Sequence, residues 1–141
     1  MKYFILFFLF FICINCKGKL IDKISDCIIS DLGQFKYIQI KVIDKKDRNK
    51  NKIVIRGKLG INFHVTNFKA FLSEMEKDPE IFNNFDFEPI GGGWINIDKN
   101  NINICGFSTA YGKARHAITS AILSKYYPNH KITNDERLFI F

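Results

Sequence analysis

The chain has few of the residues that build metal sites and covalent staples. Among 141 residues there are four cysteines, three histidines, three prolines and one tryptophan. No trio of His, Cys, Asp or Glu has metal-ligand spacing, so neither a metal nor another cofactor is expected. There is no internal repeat and no linker that splits the chain. At roughly 100–200 residues per domain, this length makes one domain, and a core of that size folds without staples. Acidic residues are outnumbered, 14 against 21 basic, for a net charge of +7. With 47% hydrophobic residues, an acidic disordered tail is excluded. No Asn-x-Ser/Thr sequon occurs.

Long apolar runs are lacking except at the start. Residues 3–14 read YFILFFLFFICI after Lys2, and KGK follows Cys16. As a helix this run spans about 18 Å, short of the roughly 30 Å hydrocarbon core. A lysine, a short apolar region and then small residues is the layout of a secretory signal peptide. The expectation is a leader over residues 1–18 and a domain over 19–141, secreted or in the secretory pathway. The alternatives are an uncleaved anchor, the one contact with a membrane, or a misassigned start and a cytosolic protein. Cys27 and Cys105 remain in the domain. They pair if the product is secreted and are small core residues if it is cytosolic.

A basic balance suits an anionic partner. Lysine greatly outnumbers arginine, a bias of composition that weakens the charge as a signal. The run DKKDRNKN (44–51) mixes both signs and reads as a solvated loop. No aromatic-basic motif of the common nucleic-acid modules is present, so no nucleic acid is expected.

FKYIQIKVI (35–43) alternates, with Lys36, Ile38, Ile40 and Val42 on one face of a strand. KIVIRG (52–57) is its hairpin partner. From Val65 the apolar positions 65, 68, 71, 72 and 75 have helical spacing. FDFEPI (85–90) predicts a strand, and Gly91-Gly92-Gly93 a turn or bulge. WINID (94–98) and NINICGF (101–107) predict a hairpin about Lys99-Asn100. A second helix follows, with Ala114, Ala117, Ile118, Ala121, Ile122 and Lys125 on its apolar stripe and His116 opposite, exposed. KIT (131–133) closes the order. The expectation is an α/β fold of the α+β type, one mixed sheet of about six strands with two helices packed on it.

Two places suit an anion. GFSTAYG (106–112) is a small-residue loop between a strand and a helix start, where backbone N–H groups lack partners. It is not a P-loop: five residues separate its glycines, and Ala114 stands where the magnesium-binding hydroxyl belongs. A tight connection without ligand is the plain alternative. The second place is His64, at the N-terminus of the first helix. That position disfavours the imidazolium, leaving the neutral ring that a general base or nucleophile requires. A lone histidine also serves as a surface or capping residue. Arg56 offers a fork to phosphate oxygens, or is a surface arginine. Lys36 points at the same cleft, or snorkels.

These residues together resemble the janus-type protein-histidine phosphatases. FKYIQIKV (35–42), IVIRG (53–57), His64 ahead of a helix, GGG (91–93), GFSTAYGKARHAI (106–118) and KYYP (125–128) occur in the family's order from about residue 20 to about 133. The resemblance implies a mixed sheet with a helix on each side. It implies metal-independent hydrolysis of phosphate from phosphohistidine in proteins, by a monomer that needs no cofactor. It puts the catalytic histidine on His64 and the substrate-binding lysine on Lys36. The phosphate-binding loop falls on Ser108, Thr109 and Ala110, and a supporting arginine on Arg56. The chain departs from the family's pattern at Trp94, where an arginine is typical. That removes a charged hydrogen bond, a loss of about 1–3 kcal/mol, and offers a ring for stacking on imidazole. The stretch 76–84 is a few residues longer than usual, and the tail ERLFIF (136–141) is apolar enough to cover a sheet edge or join a dimer. Trp94 and the leader motivate the competing expectation, a non-catalytic module that binds a phosphorylated or acidic partner.

Overall fold

The computed structural model describes residues 19–135; the expected leader 1–18 and the tail 136–141 lie outside the described residues. Six strands form one mixed sheet: β1 (Cys27–Ile29), β2 (Gly33–Asp44), β3 (Asn51–Gly57), β4 (Phe85–Ile97), β5 (Asn101–Cys105) and β6 (Lys131–Asn134). Their order across the sheet is β1-β3-β2-β4-β5-β6. The outer pairs β1/β3 and β5/β6 are parallel and the three inner pairs antiparallel. Three helices accompany the sheet: α1 (His64–Glu76), α2 (Pro79–Asn84) and α3 (His116–Tyr126). The expected α+β class with one mixed sheet is what the chain adopts.

β2 is the centre of the fold, and its alternation sorts the two cores. Ile38, Ile40 and Val42 face one way, packed with Val54, Phe71, Met75 and Phe85 beneath α1. Phe35 and Tyr37 face the other way, packed with Ile55, Ile95, Ile102, Ile104 and Leu123 against α3. Each fully buried Ile, Leu or Phe contributes about 1.5–3 kcal/mol. A helix on both sides explains why β2 is buried on both faces and only partly alternates in polarity.

Four local expectations are corrected. Gly91–Gly93 does not divide two strands: β4 runs continuously from Phe85 to Ile97. The bulge alternative holds, because the register against β2 steps from Gln39↔Gly91 to Ile40↔Pro89. The sixth strand comes instead from Cys27–Ile29, a three-residue edge too short to show a period. A third helix fills the long stretch after α1. Its signal is present in the sequence, since Asp78 caps the amides of Glu80 and Ile81 and Pro79 opens the first turn. The inward face of α3 is His116, Thr119 and Leu123, with Ala117 and Ala121 exposed. Alanine loses little by exposure, and His116 is buried because both ring nitrogens have partners.

Candidate active site

His64 is the first residue of α1, and no side chain caps the helix at Phe63. Its ring lies over the glycines of β4. Nε2 donates to the carbonyl of Gly93 at 3.0 Å. A carbonyl only accepts, so Nε2 carries the proton and the neutral ring holds its lone pair on Nδ1. His64 forms no other hydrogen bond among the described residues, and no buried side-chain nitrogen there lacks a partner. Nδ1 therefore reaches solvent, although the residue is only 6% exposed. Burial depresses the His64 pKa most, the Gly93 hydrogen bond opposes this, and the charge of Lys36 depresses it further. The ring is neutral at pH 7 by burial and a neighbouring cation.

Glycine is required beneath the histidine. A Cβ on Gly92 would stand 2.7 Å from His64 Cδ2, 2.8 Å from the Tyr37 carbonyl and 3.0 Å from Ser108 Cβ. His64 and Ser108 thus meet over one bare backbone position. The segment after Ser108 is tied to the same strand. Gly92 N–H donates to the Gly112 carbonyl, and Ala114 N–H donates back to the Gly92 carbonyl, each at 3.0 Å. Ser108 and Gly112 exchange backbone hydrogen bonds of 3.0 and 2.8 Å, which closes a small loop. Inside it the Tyr111 amide donates to Ser108 Oγ at 3.1 Å. Thr109 and Ala110 form the exposed tip, and among the described hydrogen bonds their amides have no acceptor. Helix α3 starts only at His116, so these are loop amides rather than a helix end, contrary to expectation.

Lys36 comes from β2, directly opposite Trp94 of β4. Its carbonyl accepts from Asn67 Nδ2 of α1 at 3.1 Å. Its ammonium lies 5.8 Å from the ring centre of Phe63 and 5.2 Å from that of Trp94. Lys36 forms no ion pair among the described residues.

Arg56 is not brought to this loop. Its guanidinium donates to both carboxylate oxygens of Glu74, at 3.1 and 3.2 Å, and to the carbonyls of Ser25 and Ile55, each at 2.9 Å. Four of its five N–H groups are committed, it packs over Phe71, and it is buried. None of its described contacts joins it to His64, Lys36 or the loop.

The network behind the site was not legible in the sequence. His116, expected to be exposed, is fully buried. Its Nε2 donates to the Gly106 carbonyl at 2.9 Å and its Nδ1 bonds the Tyr37 hydroxyl at 2.7 Å. Thr119 donates to the same hydroxyl at 3.1 Å and accepts from Gln39 Nε2 at 2.7 Å. Gln39 completes the chain with the carbonyl and amide of Arg115. This satisfied polar core fixes Gly106, just before the loop. Among the described residues no group of His, Cys, Asp or Glu is arranged to hold a metal ion, and Cys27 and Cys105 are both free. Burial pushes the Cys27 thiol up to about 12.

Comparison of the sequence with known proteins finds relatives. The chain is 39% identical over 113 residues to the sex-regulated protein janus-A of Drosophila orena, covering 77% of each chain. It is 37% identical over 108 residues to that of Drosophila melanogaster, covering 74% of this chain and 73% of the relative. It is 29% identical over 116 residues to the human 14 kDa phosphohistidine phosphatase, covering 78% of this chain and 89% of that protein. The pattern of the Janus/Ocnus family (Ocnus) spans residues 21–131, and the chain belongs to that family.

Proposed function

We propose that the protein hydrolyses phosphate from phosphohistidine in proteins, with His64 as its acid–base or nucleophilic group. One observation carries the reading: the neutral His64 ring presents its Nδ1 lone pair to solvent while Nε2 is anchored on Gly93. The loop beside it and the unpaired Lys36 supply what a phosphoryl group needs. The amides of Thr109 and Ala110 bind the phosphoryl oxygens, Ser108 holds the loop shut through Tyr111, and Lys36 offsets the developing charge. Water attacks phosphorus in line as the P–N bond breaks. Nδ1 takes the water proton, the departing imidazole nitrogen takes a proton from solvent, and His64 returns its own to solvent. In the nucleophilic form the same Nδ1 bonds phosphorus as the substrate P–N bond breaks and its imidazole leaves with a proton from solvent. Water then breaks the His64 P–N bond to release phosphate. Arg56, paired with Glu74, serves in this reading to prop α1 rather than to bind phosphate.

The likeness to the human phosphohistidine phosphatase supports this reading. His64→Ala is expected to abolish release of phosphate from a phosphohistidine peptide while keeping the native melting profile. Normal turnover by that variant would overturn it. The departure at Trp94 and the commitment of Arg56 to Glu74 favour a second reading, a module that binds phosphorylated or acidic partners without turnover. Binding without phosphate release by the wild-type domain would establish that one. Secretion rests on residues 1–18 alone. The N-terminus of the protein recovered from its own cells is expected at Lys17 or Lys19, and Met1 would refute cleavage.

A further inference from the structure

Among the described residues Lys36 has no carboxylate partner, yet it is not loose. Its ammonium stands within cation–π range of two rings contributed by different elements, Phe63 ahead of α1 and Trp94 on β4. Trp94 is its direct cross-strand neighbour, and the Trp94 ring is backed by Gly106, where a Cβ would stand 2.9 Å from Cδ1. Phe63 adopts an extended backbone and is 69% exposed, which a large apolar ring does only at a cost. The backbone of Lys36 is held in turn by Asn67.

A carboxylate would orient the lysine equally well, but it would also neutralise it. Ring faces attract the ammonium through their quadrupoles and carry no net charge, so the full positive charge stays available to an anion. We infer that Phe63 and Trp94 are positioning residues for Lys36. They hold its ammonium at the mouth of the His64 site as a preformed receptor for a phosphoryl group. Trp94, in a position where an arginine would add a cation, thus holds the lysine already there. The inference rests on the reading that this site takes a phosphoryl group.

The test uses inorganic phosphate as the probe and the side-chain NMR signals of Lys36 as an independent readout. Trp94→Leu keeps an apolar side chain and removes the ring. It is expected to weaken phosphate binding about threefold to tenfold, and Trp94→Phe to restore most of the loss. In a Lys36→Met background Trp94→Leu is expected to change nothing further, because its effect passes through the lysine. The Lys36 ε-methylene protons are expected to be shifted upfield by the two rings in the wild type, and to lose part of that shift in Trp94→Leu. Equal weakening with and without Lys36, or no weakening, overturns the inference. If the wild type binds no phosphate, the phosphoryl-site reading fails, and the ring-current shift alone decides whether the rings hold Lys36. An unshifted methylene signal then overturns the inference as well.

Discussion

His64 and Gly93 are 29 residues apart in sequence and joined by one 3.0 Å hydrogen bond, from Nε2 to the glycine carbonyl. That bond selects the tautomer. It commits one nitrogen to the sheet and leaves the other for the base or nucleophile role proposed above, as second partners do for catalytic histidines generally. The chemistry proposed above follows from which nitrogen is spent.

The depressed pKa of His64 sets the pH behaviour. The acid limb of kcat/KM is expected below 6.5, the unperturbed histidine value. Stability has the same sign. The unfolded chain binds a proton near 6.5 and the folded one only at lower pH, so stability is complete above 6.5 and falls as pH drops through the folded value. Denaturant melts at pH 7.5 and 5.5 are expected to differ more in the wild type than in His64→Gln. An equal difference in both would refute the assignment.

Gly92→Ala is expected to damage the site more than the fold. The new methyl group would press on His64 Cδ2, the Tyr37 carbonyl and Ser108. Overpacking of this kind costs about 1–3 kcal/mol. Turnover is expected to fall more than tenfold, because both sides of the phosphoryl site are displaced. Paired melting and rate measurements check this, and full activity in a destabilised variant would contradict it.

Tyr37→Phe removes the hydroxyl that links Thr119 to His116. The partners left in the core should cost about 1–3 kcal/mol. His64 does not belong to that chain of hydrogen bonds, so the pH profile is expected to keep its shape while the melting midpoint falls. A shifted acid limb would show that the network reaches His64.

Arg56→Ala is expected to act on stability. It breaks a largely buried pair with Glu74, at a cost of about 3 kcal/mol, reduced because Glu74 is partly exposed. Turnover per folded molecule should fall far less than in Lys36→Ala. Equal loss of turnover in the two variants, measured at matched folded fractions, would return Arg56 to the phosphate site.

Cys27, buried and with its thiol pushed up to about 12, is expected to resist a thiol reagent in the native state. The half-buried Cys105 should react first. Labelling at pH 8 followed by peptide mapping gives the order, and a disulfide between the two would contradict the free thiols.

Several parts of this protein were legible along the chain because they depend on near neighbours. The β2–β3 hairpin follows from alternation on either side of a charged loop, and α1 from its spacing from Val65. The candidates Lys36, His64 and Ser108 stand out as residue types beside small residues and element ends, and the family resemblance adds Thr109 and Ala110. What the chain alone did not show is pairing over distance. Bare glycines read as a turn or a bulge because flexibility is a local property, whereas here they also serve close approach, to His64 from one side and His116 from the other. His116 read as a surface residue because a polar side chain is buried only when partners meet it, and its partners Tyr37 and Gly106 arrive from other elements. Arg56 read as a phosphate fork or a surface arginine, because the chain alone does not show Glu74 of α1 set against it. The sequence by itself determined the family, the class of fold and the chemical groups on hand. Only the tertiary structure decided which nitrogen of His64 is free and, among the described residues, which cation remains without an ion pair and which is spent, since hydrogen bonds and ion pairs depend on geometry that no spacing records.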